Sequence, residues 1–240
     1  MKVAIIGYGA MGHEIEQVLR EKKHEIAVTI DAGEEWKMSP DVLRGADVAI
    51  EFSTPSSAFS NVTVCLNAGI PVVCGTTGWN DRRPEAENLC KQLNGTMFWS
   101  SNFSIGVNVL FRVNRYLANI MSHLSSYDVS IREVHHTRKK DAPSGTAITL
   151  AEDIIACNGN KKSWVNYATD NISELGIVSV REGDVSGIHE ITYISDCDTI
   201  ELSHSAKSRH GFAVGAVMAA EYAARHKGVL SMDDMLDELL

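Results

Sequence analysis

The 240-residue chain has no apolar run that approaches the length of a membrane span, so the sequence offers no spanning helix. It is short of positive charge: 22 Lys and Arg stand against 31 Asp and Glu, a formal net charge of −9. That balance excludes the broad cationic footprint needed to hold a nucleic-acid backbone. Cysteine is scarce as well. Five residues, at 65, 74, 90, 157 and 197, are odd in number, widely spaced and form no C-x-x-C pair. They read as small buried hydrophobes in a reducing compartment. Internal repeats and low-complexity tracts are absent. The start "MKVAIIGYG" runs directly into a strand and a glycine turn, so no signal peptide is expected and the expected location is the cytoplasm.

What is present is an alternation. "KVAIIG" (2–7), "IAVTI" (26–30), "DVAIEF" (47–52), "IPVVCG" (70–75) and "TMFWS" (96–100) read as buried strands. Helical spacing fills most of the gaps, as at 12–20 and 57–67, which predicts βαβ units and a parallel sheet. From about Asp128 the pattern changes. "DVSIREVH", "IVSVREG", "HEITYISD" and "TIELSHSA" alternate apolar with polar, as strands do in a mixed sheet with one covered face. From about Phe212 helical spacing returns, and Ser231 is placed to cap a last helix in "SMDDMLDELL". The fold class expected is α/β: an N-terminal parallel sheet with helices on both faces, plus a mixed-sheet α+β domain. The expected domains are 1–104 with 213–240, and 105–212.

"VAIIGYGAMGHEI" fits G-x-G-x-x-G at Gly7, Gly9 and Gly12, after a strand and opening a helix. In a Rossmann-type unit the first glycine makes the turn, the second admits a pyrophosphate, and the third lets helix and strand pack closely. Tyr8, Ala10 and Met11 complete the turn, and the helix start offers its N–H groups to phosphate. Asp31 ends the second strand, where a carboxylate can hold a ribose diol. It opposes a 2′-phosphate, and Ala32 and Gly33 supply no arginine to receive one. NADH is therefore expected in preference to NADPH, although Lys37 stands near enough in sequence to soften the penalty. The loops "CGTTGW" and "SSNFSIGVN" follow the fourth and fifth strands, at the strand ends where ligands of open α/β sheets bind.

Residues 133–147 read "EVHHTRKKDAPSGTA", a basic cluster in an acidic chain. His135 and His136 end a strand on opposite faces. Pro143 suits the first turn of a helix, so that Ser144, Gly145 and Thr146 present unpaired N–H groups to a carboxylate. Lys139 adds a positive charge just before them. An anionic substrate beside a histidine acid/base is the chemistry this arrangement fits. Two adjacent histidines with no further ligand nearby make a poor metal pair, and no metal is expected.

This segment, with "EFSTPSS", "GTTGW", "SNFSIGVNVL", "GIHEITY" and "RHGFAVGAVMAA", resembles the 4-hydroxy-tetrahydrodipicolinate reductase (dihydrodipicolinate reductase) family over almost the whole chain. The resemblance implies reduction of a cyclic dicarboxylic imine derivative by NAD(P)H in the diaminopimelate route to lysine, and a homotetramer built through the strands of about 177–205. By position, His135 resembles the proton donor and Lys139 the catalytic lysine. His136, Ser144, Gly145 and Thr146 fall at the substrate, and Gly75, Thr76, Thr77, Ser100, Ser101, Asn102 and Phe103 join the glycine turn and Asp31 at the nucleotide. Arg209 is held as a second-tier anion contact. The glycine turn is shorter than the family's and carries Ala10, and the stretch from Asp31 to Ala46 is short enough to lack an element. Two other functions share parts of the pattern: an aspartate-type NAD-dependent dehydrogenase, and a regulator that binds NADH without turnover.

Overall fold

Runs of β-branched and aliphatic residues with no polar interruption form strands that are buried on both faces. β1 (Lys2–Ile6), β3 (Val48–Glu51), β4 (Val72–Cys74) and β5 (Thr96–Trp99) are largely such runs, whereas β2 (Glu25–Ile30) lies at the sheet edge with Glu25 and Ala27 exposed. Between them lie α1 (Ala10–Glu21), α2 (Pro40–Leu43), α3 (Pro55–Asn67) and α4 (Arg83–Gln92). Then follow α5 (Ile105–Met121), β6 (Asp128–His135), α6 (Gly145–Cys157), β7 (Ser163–Val165), β8 (Glu174–Arg181), β9 (Ile188–Ile194) and β10 (Thr199–Ser205). The chain ends in α7 (His210–Ala223), β11 (Gly228–Leu230) and α8 (Met232–Leu239). The computed structural model describes residues 1–34 and 37–239; Leu240, the end of the expected last helix, lies outside the described residues.

The chain divides into two compact units, Met1–Ser104 with Arg209–Leu240, and Ile105–Ser208. In the first, six strands run parallel in the order β11-β5-β4-β3-β1-β2. The order reverses between β1 and β3, the switch point at which open α/β sheets leave a crevice. Between β2 and β3 the described residues hold a 3-10 turn at Lys37 and the four-residue α2 but no strand, and this edge of the sheet stops at β2. At the other edge β11 was not expected; three residues, "GVL", are too few to show a period.

In the second unit the order is β10-β9-β6-β8-β7, with β6, β8 and β7 parallel and β9 and β10 antiparallel. β7 also escaped the sequence reading, for the same reason of length. Register places Ile131 opposite Ile177 and Ile191, and Leu202 beyond Ile191. This apolar row packs with Leu110, Leu150 and Ile154 of α5 and α6. The opposite face carries Arg132, Glu190 and Val178 and stays open to solvent. Among the described residues no helix is long and apolar enough to cross a membrane.

Candidate active site

In the first unit the β1–α1 turn is built by space as much as by conformation. Gly7 has φ +88°, and a Cβ there would stand 2.0 Å from the Phe52 carbonyl oxygen. A Cβ on Gly12 would meet the Gly7 carbonyl oxygen at 2.4 Å, so the helix start can close on the turn only without one. Gly9 differs, because no protein atom lies within 4 Å of where its Cβ would be. Its bare backbone borders a cavity of about 370 Å³ lined by Gly7, Gly9, Asp31, Phe52, Ser53 and Asn61, among others. An adjoining, more open cavity shares Gly9, Phe52 and Ser53 and reaches Ala10, Met11, Gly75, Thr76 and Thr77. Both lie at the carboxyl ends of the strands around the switch point. Asp31 Oδ1 accepts the Tyr8 backbone N–H at 3.2 Å, which fixes the second strand's end against the glycine turn. These residues fit a dinucleotide laid across the crevice with its phosphates on the α1 start.

Beneath the crevice sits a carboxylate the sequence reading passed over. Glu51 is fully buried at the end of β3. It accepts from the Ser53 hydroxyl, from Asn61 Nδ2 at 3.2 Å and from Cys74 Sγ at 3.1 Å. Ser53 N–H in turn donates to Thr76 Oγ1 at 2.8 Å, so one buried network ties the β3 and β4 loops together. Burial and the nearby Glu51 push the Cys74 thiol well up, and it stays a protonated donor.

In the second unit the helix-covered face of the sheet changes character at one end. One row beyond the apolar Ile131 row, register aligns His204, His189, Glu133 and Ser179. One row further, His135 stands beside Arg181. Glu133 is fully buried; its Oε2 lies 2.7 Å from His135 Nδ1 and its Oε1 lies 2.9 Å from Arg181 Nη2. Oε1 also accepts the Ser144 N–H at 3.2 Å. Ser144 caps α6, its Oγ accepting from Ala147 N–H at 3.2 Å and sharing a 3.1 Å hydrogen bond with His189 Nε2. The His135 and His189 rings meet edge to face at 5.2 Å. Beside them Lys139 Nζ pairs with Asp141 at 2.9 Å. Glu133, His135 and His189 offer ligand atoms within 4.8 Å of one another, but Arg181 and Ser144 already engage two of the three.

Comparison with known proteins decides the family. Residues 1–103 match the family model "Dihydrodipicolinate reductase, N-terminus" and residues 106–236 match "Dihydrodipicolinate reductase, C-terminus". The chain belongs to the dihydrodipicolinate reductase family. A 4-hydroxy-tetrahydrodipicolinate reductase of Christiangramia forsetii is 45% identical over 239 residues, covering 100% of this chain and 99% of that protein. One from Methanosarcina barkeri is 39% identical over 197 residues, 80% of this chain and 73% of its own length. The dipicolinate-bound dihydrodipicolinate reductase of Paenisporosarcina sp. TG-14 superimposes with a TM-score of 0.81 at 22% identity, over 100% of this chain and 99% of that one. As a member of the family the chain is an oxidoreductase that works with a nicotinamide cofactor.

Several residues expected at this reductase site stand elsewhere or differently. β6 ends at His135, so His136 lies beyond the strand, half-buried. Pro143 is not in the first helical turn: it precedes the cap Ser144 and follows Ala142 through a cis peptide bond. The Ser144 N–H is not unpaired, because Glu133 takes it. Gly145 is exposed and Thr146 half-buried at the helix start. Ser100 Oγ donates to the Asn102 carbonyl at 2.8 Å and accepts the Asn102 N–H at 3.1 Å. Phe103 is a core residue against Phe52 and Phe98, and Ser101 is exposed. Lys37 is tied to Glu34, and Arg209 is an exposed residue preceding α7. Glu133, Arg181 and His189 were not anticipated. Period-two alternation puts Glu133 on the face of His135 and was the available signal.

His189 gives this site a pH signature in stability. Burial and the neighbouring His135 push its pKa down from 6.5 to about 4. The unfolded chain therefore binds more protons between those values, and stability falls as pH drops from about 6.5 towards 4. Fully expressed, the shift corresponds to about 3 kcal/mol. Urea unfolding at pH 7 and pH 5 is expected to show the larger part of that loss, about 2 kcal/mol, and His189→Asn to shrink it. An unchanged difference in the variant would assign the acid loss to other groups.

Proposed function

We propose that the chain reduces 4-hydroxy-tetrahydrodipicolinate to tetrahydrodipicolinate in the diaminopimelate route to lysine, with His135 as proton donor. The first unit serves as the dinucleotide-binding domain and the second as the domain for substrate and assembly. The observation that carries the reading is the end of β6, where a histidine held by a buried carboxylate adjoins Lys139 and the start of α6. When bound, the nicotinamide supplies a hydride equivalent to the substrate ring. The ring hydroxyl leaves as water together with a hydrogen from the neighbouring ring carbon, and after hydride adds to the conjugated ring so formed, His135 gives a proton to the ring atom that becomes electron-rich. The α6 start at Gly145 and Thr146, with Lys139 and His136, holds the carboxylates, combining helix N–H groups with a positive charge. The relative from Paenisporosarcina carries dipicolinate, a small dicarboxylate of the same kind. The proposal also takes the enzyme to be a cytoplasmic homotetramer assembled through the open face of the second sheet, and light scattering showing an active monomer would refute that part. The functional test is NADH oxidation in the presence of the condensation product of pyruvate and aspartate semialdehyde. Oxidation that depends on this product supports the reading; NADH binding without oxidation supports a regulator.

We further propose that NADH is preferred over NADPH, with NADPH accepted more weakly. Asp31 borders the cavity and would meet a 2′-phosphate as a like charge. Lys37, the nearest lysine in sequence that could soften this, is paired with Glu34. The clash and a lost diol contact together are worth roughly 1–3 kcal/mol, about ten- to a hundredfold in kcat/KM. Asp31→Ala combined with Ala32→Arg is expected to narrow or reverse that ratio. Steady-state kinetics with both cofactors at one low ionic strength checks it, and a wild-type preference for NADPH would remove Asp31 from the ribose.

A further inference from the structure

We infer that Glu133 is a positioning residue for the reaction: its buried carboxylate holds the His135 ring with Nδ1 turned inward, so that Nε2 is the nitrogen that delivers the proton. The inference rests on the reading of His135 as donor.

The two carboxylate oxygens divide their work. Oε2 makes a close ion-pair contact with His135 Nδ1 at 2.7 Å, off the direction of a ring N–H hydrogen bond, while Oε1 takes Arg181 at 2.9 Å and the Ser144 N–H at 3.2 Å. A fully buried carboxylate is costly unless each oxygen is matched. Burial raises the pKa of Glu133, but the bonds to His135, Ser144 and Arg181 outweigh it and hold the carboxyl well below the usual range. The group is therefore an anion at neutral pH, able to face an imidazolium.

The other side of the ring is kept clear. Gly187 begins the approach to β9 with φ +154°, and a Cβ there would lie 3.1 Å from His135 Nε2 and 3.3 Å from Cδ2. No other protein group bonds Nε2 among the described residues. A histidine serving only as filler would have no need of an uncovered nitrogen. The simpler alternative is that Glu133 is just the buried counter-ion of Arg181. Among the described residues the groups facing this centre are Glu133 on β6, His189 on β9, Arg181 on β8, Lys139 and His204 acting on His189, and Asp141, whose carboxylate is turned to Lys139 and whose carbonyl takes Arg181. Only Glu133 contributes a negative charge against the ring itself.

The two roles separate kinetically. Kinetics on wild type, Glu133→Gln, His135→Gln and the double variant are compared across pH. Glu133→Gln is expected to lower kcat by about ten- to a thousandfold, as loss of an orienting carboxylate does in histidine catalysis. KM for the dicarboxylate is expected to stay level or fall, since one negative charge has left the neighbourhood. The alkaline limb of the rate profile moves to lower pH. In the His135→Gln background the same change costs less than about twofold. A raised KM with unchanged kcat, or an equal loss in both backgrounds, overturns the inference in favour of the counter-ion role. Wild-type rates in His135→Gln overturn the donor assignment itself; a large loss there with a normal Glu133→Gln overturns only the role of Glu133. If Glu133→Gln does not fold, ¹⁵N-histidine spectra of the wild type decide, with His135→Gln marking the resonance. A neutral ring protonated on Nδ1 supports the inference, and one protonated on Nε2 overturns it.

Discussion

His135→Gln is expected to lower kcat by about 10²- to 10⁴-fold while NADH affinity stays within about twofold of wild type. The two effects separate because the histidine stands in the unit Ile105–Ser208, whereas the glycine turn and Asp31 stand in the other. Glutamine keeps much of the volume and can still donate a hydrogen bond, but it cannot release a proton near neutrality. Isothermal titration with NADH and steady-state turnover are the paired measurements. A drop in kcat of less than tenfold would reject His135 as the main donor, and a parallel loss of NADH binding would point to a disturbed fold.

Lys139→Ala is expected to raise KM and to lower kcat, each by about ten- to a hundredfold. Lys139 is largely covered by its surroundings and pairs with Asp141 at 2.9 Å. Asp141 loses some hydration to burial, yet its hydrogen bond to Lys139 keeps its carboxyl below the ordinary range. Removing the lysine therefore does two things: it withdraws a cation from the substrate carboxylates, and it leaves an anion facing them. Lys139→Arg is expected to restore KM more than kcat, because the planar guanidinium keeps the charge but places its donors differently. Adding Asp141→Asn to Lys139→Ala should recover part of KM and none of kcat. Full activity of the arginine variant would mean that charge alone matters at this position.

Much of the first unit was legible because its signals are local. Gly7, Gly9 and Gly12 sit within one turn, and each β-run is continuous, so sequence spacing alone places the strand, the turn and the helix start. The link after Asp31 is short in length, and its described residues include α2. The second unit was legible as strands but not as a site. Glu133 could have been found, since it shares its strand face with His135 two residues on. Arg181 and His189 could not, because only the register of β8 and β9 against β6 brings them beside a residue about 50 positions away. Pro143 misled for a physical reason: its fixed φ suits the first helical turn, yet Ser144 after it makes the stronger cap by accepting from Ala147 N–H. The same serine's N–H was counted as open to substrate because the carboxylate that takes it lies eleven residues upstream.

The most direct measurement follows an isotope. NADH doubly deuterated at C4 of the nicotinamide is incubated with the chain and the condensation product of pyruvate and aspartate semialdehyde, and the reduced ring is weighed by mass spectrometry. One deuterium in each tetrahydrodipicolinate formed, matched to one NADH oxidised, with the rate of labelled product falling in step with kcat in His135→Gln, is the expected result. NADH that binds but stays unoxidised, or a product without deuterium, would contradict the assignment.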